Sequence, residues 1–140
     1  MAARTDVRVW VWASLCLGLL VGCEPAPPVC FELMLECEGV SAPDFATLHR
    51  EVLQPRCGTG GSCHVEDDVP AGNLRLDERA LAYEQLVDPQ RDLIVPARPE
   101  CSHVVRRVTS RTRFVQMPPA APLTDEETCA IIAWVGAGAR

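Results

Sequence analysis

Eight cysteines in a chain of 140 residues restrict the folds open to it more than any other feature of the sequence. Thiols at that density belong to oxidising compartments, where cross-links hold small domains whose cores are thin. Aromatic residues make up only 5% of the chain, so cross-links have a deficit to offset. The length allows one domain and no second sizeable core. The formal charge is −6, and every basic side chain is arginine. That balance argues against nucleic acid as a partner, which rewards basic surfaces.

Arg4 and Arg8 precede an apolar run from Val9 to Val21 that includes Trp10, Trp12, Leu15, Leu17, Leu19 and Leu20. It is shorter than the ~20 residues of a membrane-spanning helix and has the shape of a secretory signal. It ends in Leu20-Val21-Gly22-Cys23, which resembles the lipobox of bacterial lipoproteins. The resemblance implies removal of residues 1–22 and acylation of Cys23. The protein would then sit in the bacterial cell envelope, anchored to a membrane and facing the periplasm or exterior. Each buried methylene contributes ~0.8 kcal/mol, so several acyl chains hold where one does not. Cys16 leaves with the signal and Cys23 is acylated, which leaves Cys30, Cys37, Cys57, Cys63, Cys101 and Cys129. An even number in an exported chain suggests pairing.

Residues 23–40 read as a lipidated tether with a small cysteine loop. Pro25, Pro27 and Pro28 stiffen it. Cys30 and Cys37 are close enough in sequence to close that loop by a disulfide. No histidine stands beside either, so a disulfide is favoured over a metal pair.

From residue 41 to 140 the pattern is helical. Ser41 is placed to cap a first helix, with Asp44 three residues on and Pro43 in the first turn. Phe45, Leu48, His49, Val52 and Leu53 recur at helical spacing, and Pro55 is expected to end the helix. His49 reads as a packed histidine and not as a ligand. Asn73 to Leu76 is a brief extended piece. Asp77 is expected to cap a helix from Glu78 to about Val87, with Leu81, Gln85 or Leu86 inward. Leu93-Ile94-Val95 is short and buried. Pro99 opens a helix to about Val108 with Val104, Val105 and Val108 inward. Thr124 and Glu127 form a capping box for a last helix ending at Gly136, whose Trp134 is expected to pack on Phe45 and Leu48.

The chemistry concentrates in Cys57-Gly58-Thr59-Gly60-Gly61-Ser62-Cys63-His64. Two cysteines followed at once by a histidine are how a c-type haem is held: two thioethers and an imidazole on iron. The spacer is five residues where the usual pattern has two. The glycines suit a loop that bulges around a flat partner, and equally a small loop closed by a Cys57–Cys63 disulfide. A zinc or copper site using Cys57, Cys63 and His64 is a third reading. Downstream, Met117 precedes Pro118 and Pro119, so its loop is extended and low in entropy. A thioether so held can face iron opposite a histidine; the plainer reading is a gap-filling methionine. Arg106, Arg107, Arg111 and Arg113 form a basic cluster, most simply a solvated face, which haem propionates or an acidic redox partner could use. No serine–histidine–acid set, paired-carboxylate helix or phosphate loop stands out, so a carrier is expected and not an enzyme.

The order of parts resembles the c-type cytochrome domain of exported bacterial proteins of planctomycete and myxobacterial type. The resemblance rests on a helix leading to the Cys…Cys-His loop, then Gly72-Asn73-Leu74-Arg75-Leu76, a Val95-Pro96 segment, Met117-Pro118-Pro119 and a closing helix ending Trp134-Val135-Gly136-Ala137. It runs from about Ser41 to Ala139. It implies an all-α, small cytochrome c-like helical domain with loops, in which the first and last helices cross beside haem c. Carried over, Cys57 and Cys63 are the thioether positions, His64 the proximal ligand and Met117 the distal one. The long spacer leaves a single thioether through Cys63 open as well. Cys101 and Cys129 depart from the pattern and are expected to form a disulfide that clamps the last helix to the one before it. The same fold without haem, a disulfide-stabilised envelope lipoprotein, is the competing expectation.

Overall fold

The computed structural model describes residues 30–59, 63–65 and 70–140. The signal peptide and the acylation of Cys23 fall outside the described residues, as do Gly60, Gly61 and Ser62 of the cysteine loop. Among the described residues there are helices and no strands, joined by loops and two disulfides. The all-α, disulfide-stapled class is therefore the observed one. No helix among the described residues is long and apolar enough to cross a membrane.

The first helix, α1, begins one turn later than the capping pattern at Ser41 suggests. Its N-cap is Asp44, whose extended backbone lets Oδ1 accept the Thr47 N–H at 2.8 Å. From there α1 runs as α-helix over Phe45–Leu48, π-helix over His49–Leu53 and α-helix again over Gln54–Cys57. Pro55 does not end it. The π turn closes on the Gln54 N–H bonding the His49 carbonyl, which resets the register. Pro55 then falls in the opening turn of a new α segment, where a missing N–H costs least.

Helix α2 spans Arg79–Val87. Its cap is Glu78, which accepts from the Ala80 and Leu81 amides at 2.9 and 2.8 Å. Asp77, the expected cap, is instead held in a two-point pair by Arg75 at 3.1 and 2.8 Å. Ala82 and Leu86 face the core. The helix expected from Pro99 is broken in two: a 3-10 turn over Pro99–Cys101, then α3 over His103–Thr109. The break is Ser102, fully buried, whose hydroxyl accepts the Val95 N–H at 2.9 Å and donates to the Arg98 carbonyl at 3.0 Å. Those bonds need an extended Ser102 backbone, which a continuous helix would not permit.

Helix α4, Asp125–Gly136, opens on the expected capping box of Thr124 and Glu127, with bonds of 3.1 and 2.8 Å. Trp134 meets Phe45 at a centroid distance of 5.2 Å, so the first and last helices pack as anticipated. Leu48, Val105, Ile131 and Val135 fill the space between α1, α3 and α4.

Both disulfide pairings differ from expectation. Cys30 is joined to Cys101, and Cys37 to Cys129. The reason lies in the six residues between Cys30 and Cys37. Phe31, Leu33 and Leu35 turn inward onto the core while Glu32, Met34 and Glu36 stay exposed. That period of two is extended chain. Seven steps of ~3.3 Å separate its ends by roughly 23 Å, far beyond the ~7 Å that a disulfide tolerates between α-carbons. The segment is thus a strap laid across α3 and α4, riveted at each end, and no small loop closes.

Candidate functional site

The C-terminal end of α1 is fixed before any cofactor is considered. Arg56 donates to the Pro122 carbonyl at 3.0 Å and pairs with Glu127 at 3.3 Å, tying the end of α1 to the start of α4. Cys57 closes the helix, half-buried against the core. Burial pushes its thiol up to about 11 from an ordinary 9.0; the Arg56 guanidinium opposes this and Glu127 adds to it. Gly58 follows, buried against the backbone of Leu76 and Asp77. A Cβ there would run into the Leu76 carbonyl oxygen and sit 2.8 Å from the Asp77 nitrogen. Only glycine allows α1 to end so close to the crossing chain.

That crossing chain, Leu74 to Leu76, organises both histidines of the site. The backbone of Cys63 and His64 lies alongside it: Ala71 N–H donates to the Cys63 carbonyl at 2.7 Å, and Leu76 N–H to the His64 carbonyl at 2.8 Å. The imidazole of His64 turns its Nδ1 to the Leu74 carbonyl at 3.1 Å. A carbonyl oxygen can only accept, so Nδ1 carries a proton, and in the neutral ring Nε2 is the nitrogen left with the lone pair. Two residues on, the Leu76 carbonyl accepts from Nε2 of His49 at 3.0 Å. His49 is 4% exposed and packs near Phe45, so it is a packed histidine, as its helical position suggested.

Met117 stands on a loop held to α3. Its N–H donates to the Arg107 carbonyl at 2.9 Å, and the neighbouring Gln116 side chain donates to Pro118 at 3.0 Å. The Arg107 guanidinium reaches back to the Val115 carbonyl at 3.5 Å. The sulfur-bearing residue is therefore fixed through its backbone and half-buried.

The cysteines divide cleanly. Cys30, Cys37, Cys101 and Cys129 are oxidised in pairs, and Cys57 and Cys63 remain thiols. The Cys57–Cys63 disulfide weighed for this loop is not formed. Among the described residues, the one histidine, cysteine and carboxylate group near enough to chelate an ion is Cys30, Glu100 and Cys101, whose sulfurs are spent in a disulfide. Cys57, Cys63 and His64 do not form such a group among the described residues. The donor types fit haem c: two thiols, an imidazole and a thioether.

Sequence reasoning missed the partners of these residues. The Leu74 and Leu76 carbonyls carry no side-chain signal. Gly58, directly after Cys57, was the visible sign of a close backbone approach. The alternation in residues 31–36 was the visible sign of the strap.

No curated protein and no solved structure matches the chain. Residues 61–121 match the family model described as Planctomycete cytochrome C. The matched stretch begins inside the cysteine loop and takes in Cys63, His64, Leu74, Leu76 and Met117, and the match supports a planctomycete-type cytochrome c domain over those residues.

Proposed function

We propose that the domain holds haem c and serves as an exported, lipid-anchored electron carrier or redox module. The observation that carries this is the bond from His64 Nδ1 to the Leu74 carbonyl. It sets the tautomer and aims Nε2 away from that carbonyl, as an iron-binding imidazole requires. Haem would supply one-electron exchange at iron, and Cys57, Cys63, His64 and Met117 are the residues that would hold it. The chain's own part is to orient and to exclude. Leu74 and Leu76 hold the loop bearing His64, and Arg107 holds the loop bearing Met117. With Met117 supplying a thioether beside the His64 imidazole, the reduced state would be favoured and the potential raised. No substrate chemistry is assigned to the domain.

The test is expression with a cytochrome maturation system, followed by haem staining on a denaturing gel. A stained band at the mass of the mature chain supports the reading, and His64→Ala should remove its low-spin spectrum. Met117→Ala should change the spectrum and lower the potential. An unstained wild type, with Cys57 and Cys63 linked to each other by peptide mapping, would establish the competing role of a haem-free envelope lipoprotein.

A further inference from the structure

Three large apolar side chains are strongly exposed among the described residues: Met34 at 80%, Phe114 at 86% and Val40 at 43%. Single exposed apolar residues are ordinary, but these sort into two patches of opposite charge. Met34 lies on the strap and Val40 in the turn just past its Cys37 end, among Glu32, Glu36 and Glu38, all exposed. Phe114 stands beyond the C-terminal end of α3 with exposed Arg106, Arg111 and Arg113, and the Arg113 guanidinium lies 5.8 Å from its ring. The basic patch is no mere share of the average. Residues 101–124 contain four arginines and no acidic residue, in a chain of formal charge −6.

Helix α4 links the two patches. Cys37, at one end of the strap, is bonded to Cys129 of α4. Asp125 lies four residues earlier on the same face of α4, ~6 Å along the axis. Asp125 in turn draws Arg111 to 3.7 Å through two well-exposed side chains. Two patches of opposite sign, each with its own apolar centre, are what a two-fold interface requires: the acidic patch of one copy meets the basic patch of the other, twice over.

We propose that the strap with the turn that follows it, residues 32–40, and the Phe114 loop form a self-complementary docking surface, on which a second copy of this chain sits with Phe114 over Met34 and Val40, flanked by arginine–glutamate pairs. The occupant is the chain itself because both complementary halves are present on one molecule. The inference stands apart from the haem reading, since neither patch includes a proposed ligand.

The test uses the full chain with Cys23→Ser, so that no acyl anchor is added, folded with its disulfides formed. Sedimentation equilibrium and light scattering read the mass against concentration. A dimer is expected, weakened about tenfold as salt rises from roughly 0.05 M to 0.5 M, because screening shortens below the spacing of the pairs. The double variants Arg111→Glu/Arg113→Glu and Glu32→Arg/Glu36→Arg should each be monomeric with unchanged circular dichroism. Their equimolar mixture should regain a dimer. A wild type that stays monomeric at every concentration overturns the proposal, as does a dimer untouched by either pair of reversals.

Discussion

Nε2 of His49 lies 3.0 Å from the carbonyl oxygen of Leu76, across the same short stretch whose Leu74 carbonyl receives His64. One imidazole comes from the buried side of α1 and the other from the cysteine loop, and the extended chain between them is held by both. A buried acceptor left without its donor costs about 1–3 kcal/mol. His49→Leu should therefore lower stability by that order in urea titration, whereas His49→Gln, which retains a donor, should lose less. Equal losses in the two variants would mean that packing, and not the bond, is what His49 supplies.

Gly58 gives a sharper contrast. Alanine there places its Cβ against the Leu76 carbonyl, and backbone on both sides has nowhere to move. Overpacking of this kind costs about 1–3 kcal/mol. Gly136→Ala meets nothing within 4 Å and should leave the melting temperature unchanged or slightly raised. Thermal unfolding of the two variants side by side checks this.

The strap can be read chemically. Non-reducing digestion should return the linked peptides Cys30–Cys101 and Cys37–Cys129, spanning 71 and 92 residues of sequence. Recovery of a Cys30–Cys37 peptide would contradict the extended course of the strap. Removing either bond by paired alanines should cost about 2–5 kcal/mol, as for long cross-links in small exported domains.

Thiol reactivity separates the two remaining cysteines. Cys57 is pushed up to about 11 by burial, so its reactive thiolate is scarce at neutral pH, while Cys63 is exposed. In the haem-free chain, iodoacetamide at pH 7.5 should label Cys63 first and Cys57 only on unfolding or well above pH 9. Peptide mass spectra over time give the order.

Acid sensitivity should trace to two helix caps. Asp44 is held below the usual carboxylate range chiefly by the Thr47 amide, and Glu78 by the Leu81 amide and then that of Ala80. Both folded-state values are depressed. Their contribution is therefore present above the unfolded values near 4 and is lost as pH falls through the folded ones. Glu78→Gln should flatten the fall of the urea midpoint between about pH 5 and pH 3.

Local rules carried much of this structure into view from the sequence. Thr124 and Glu127 announced α4 because a capping box is written in four adjacent residues. Phe45 and Trp134 announced the helix crossing because they are the large residues on two apolar faces. Pro55 misled because a π turn is a property of register and not of composition. Asp77 misled because a neighbouring arginine two residues back had a better use for it. The cysteine partners were illegible from spacing, since proximity in sequence says little once the chain between two cysteines is extended. His64 stood out as a candidate ligand by its place after Cys63, but the carbonyl that orients it comes from a leucine, and backbone atoms leave no trace in residue identity.

The strap changes how the domain answers a pull. Any tension arriving from ahead of Cys30 enters a sulfur–sulfur bond at once and passes to Cys101, at the threshold of α3. What continues along the strap is handed at Cys37 to the middle of α4. Mechanical stress from the N-terminal side is thus delivered into covalent junctions on the two helices, and α1 with its cysteine loop lies off that path.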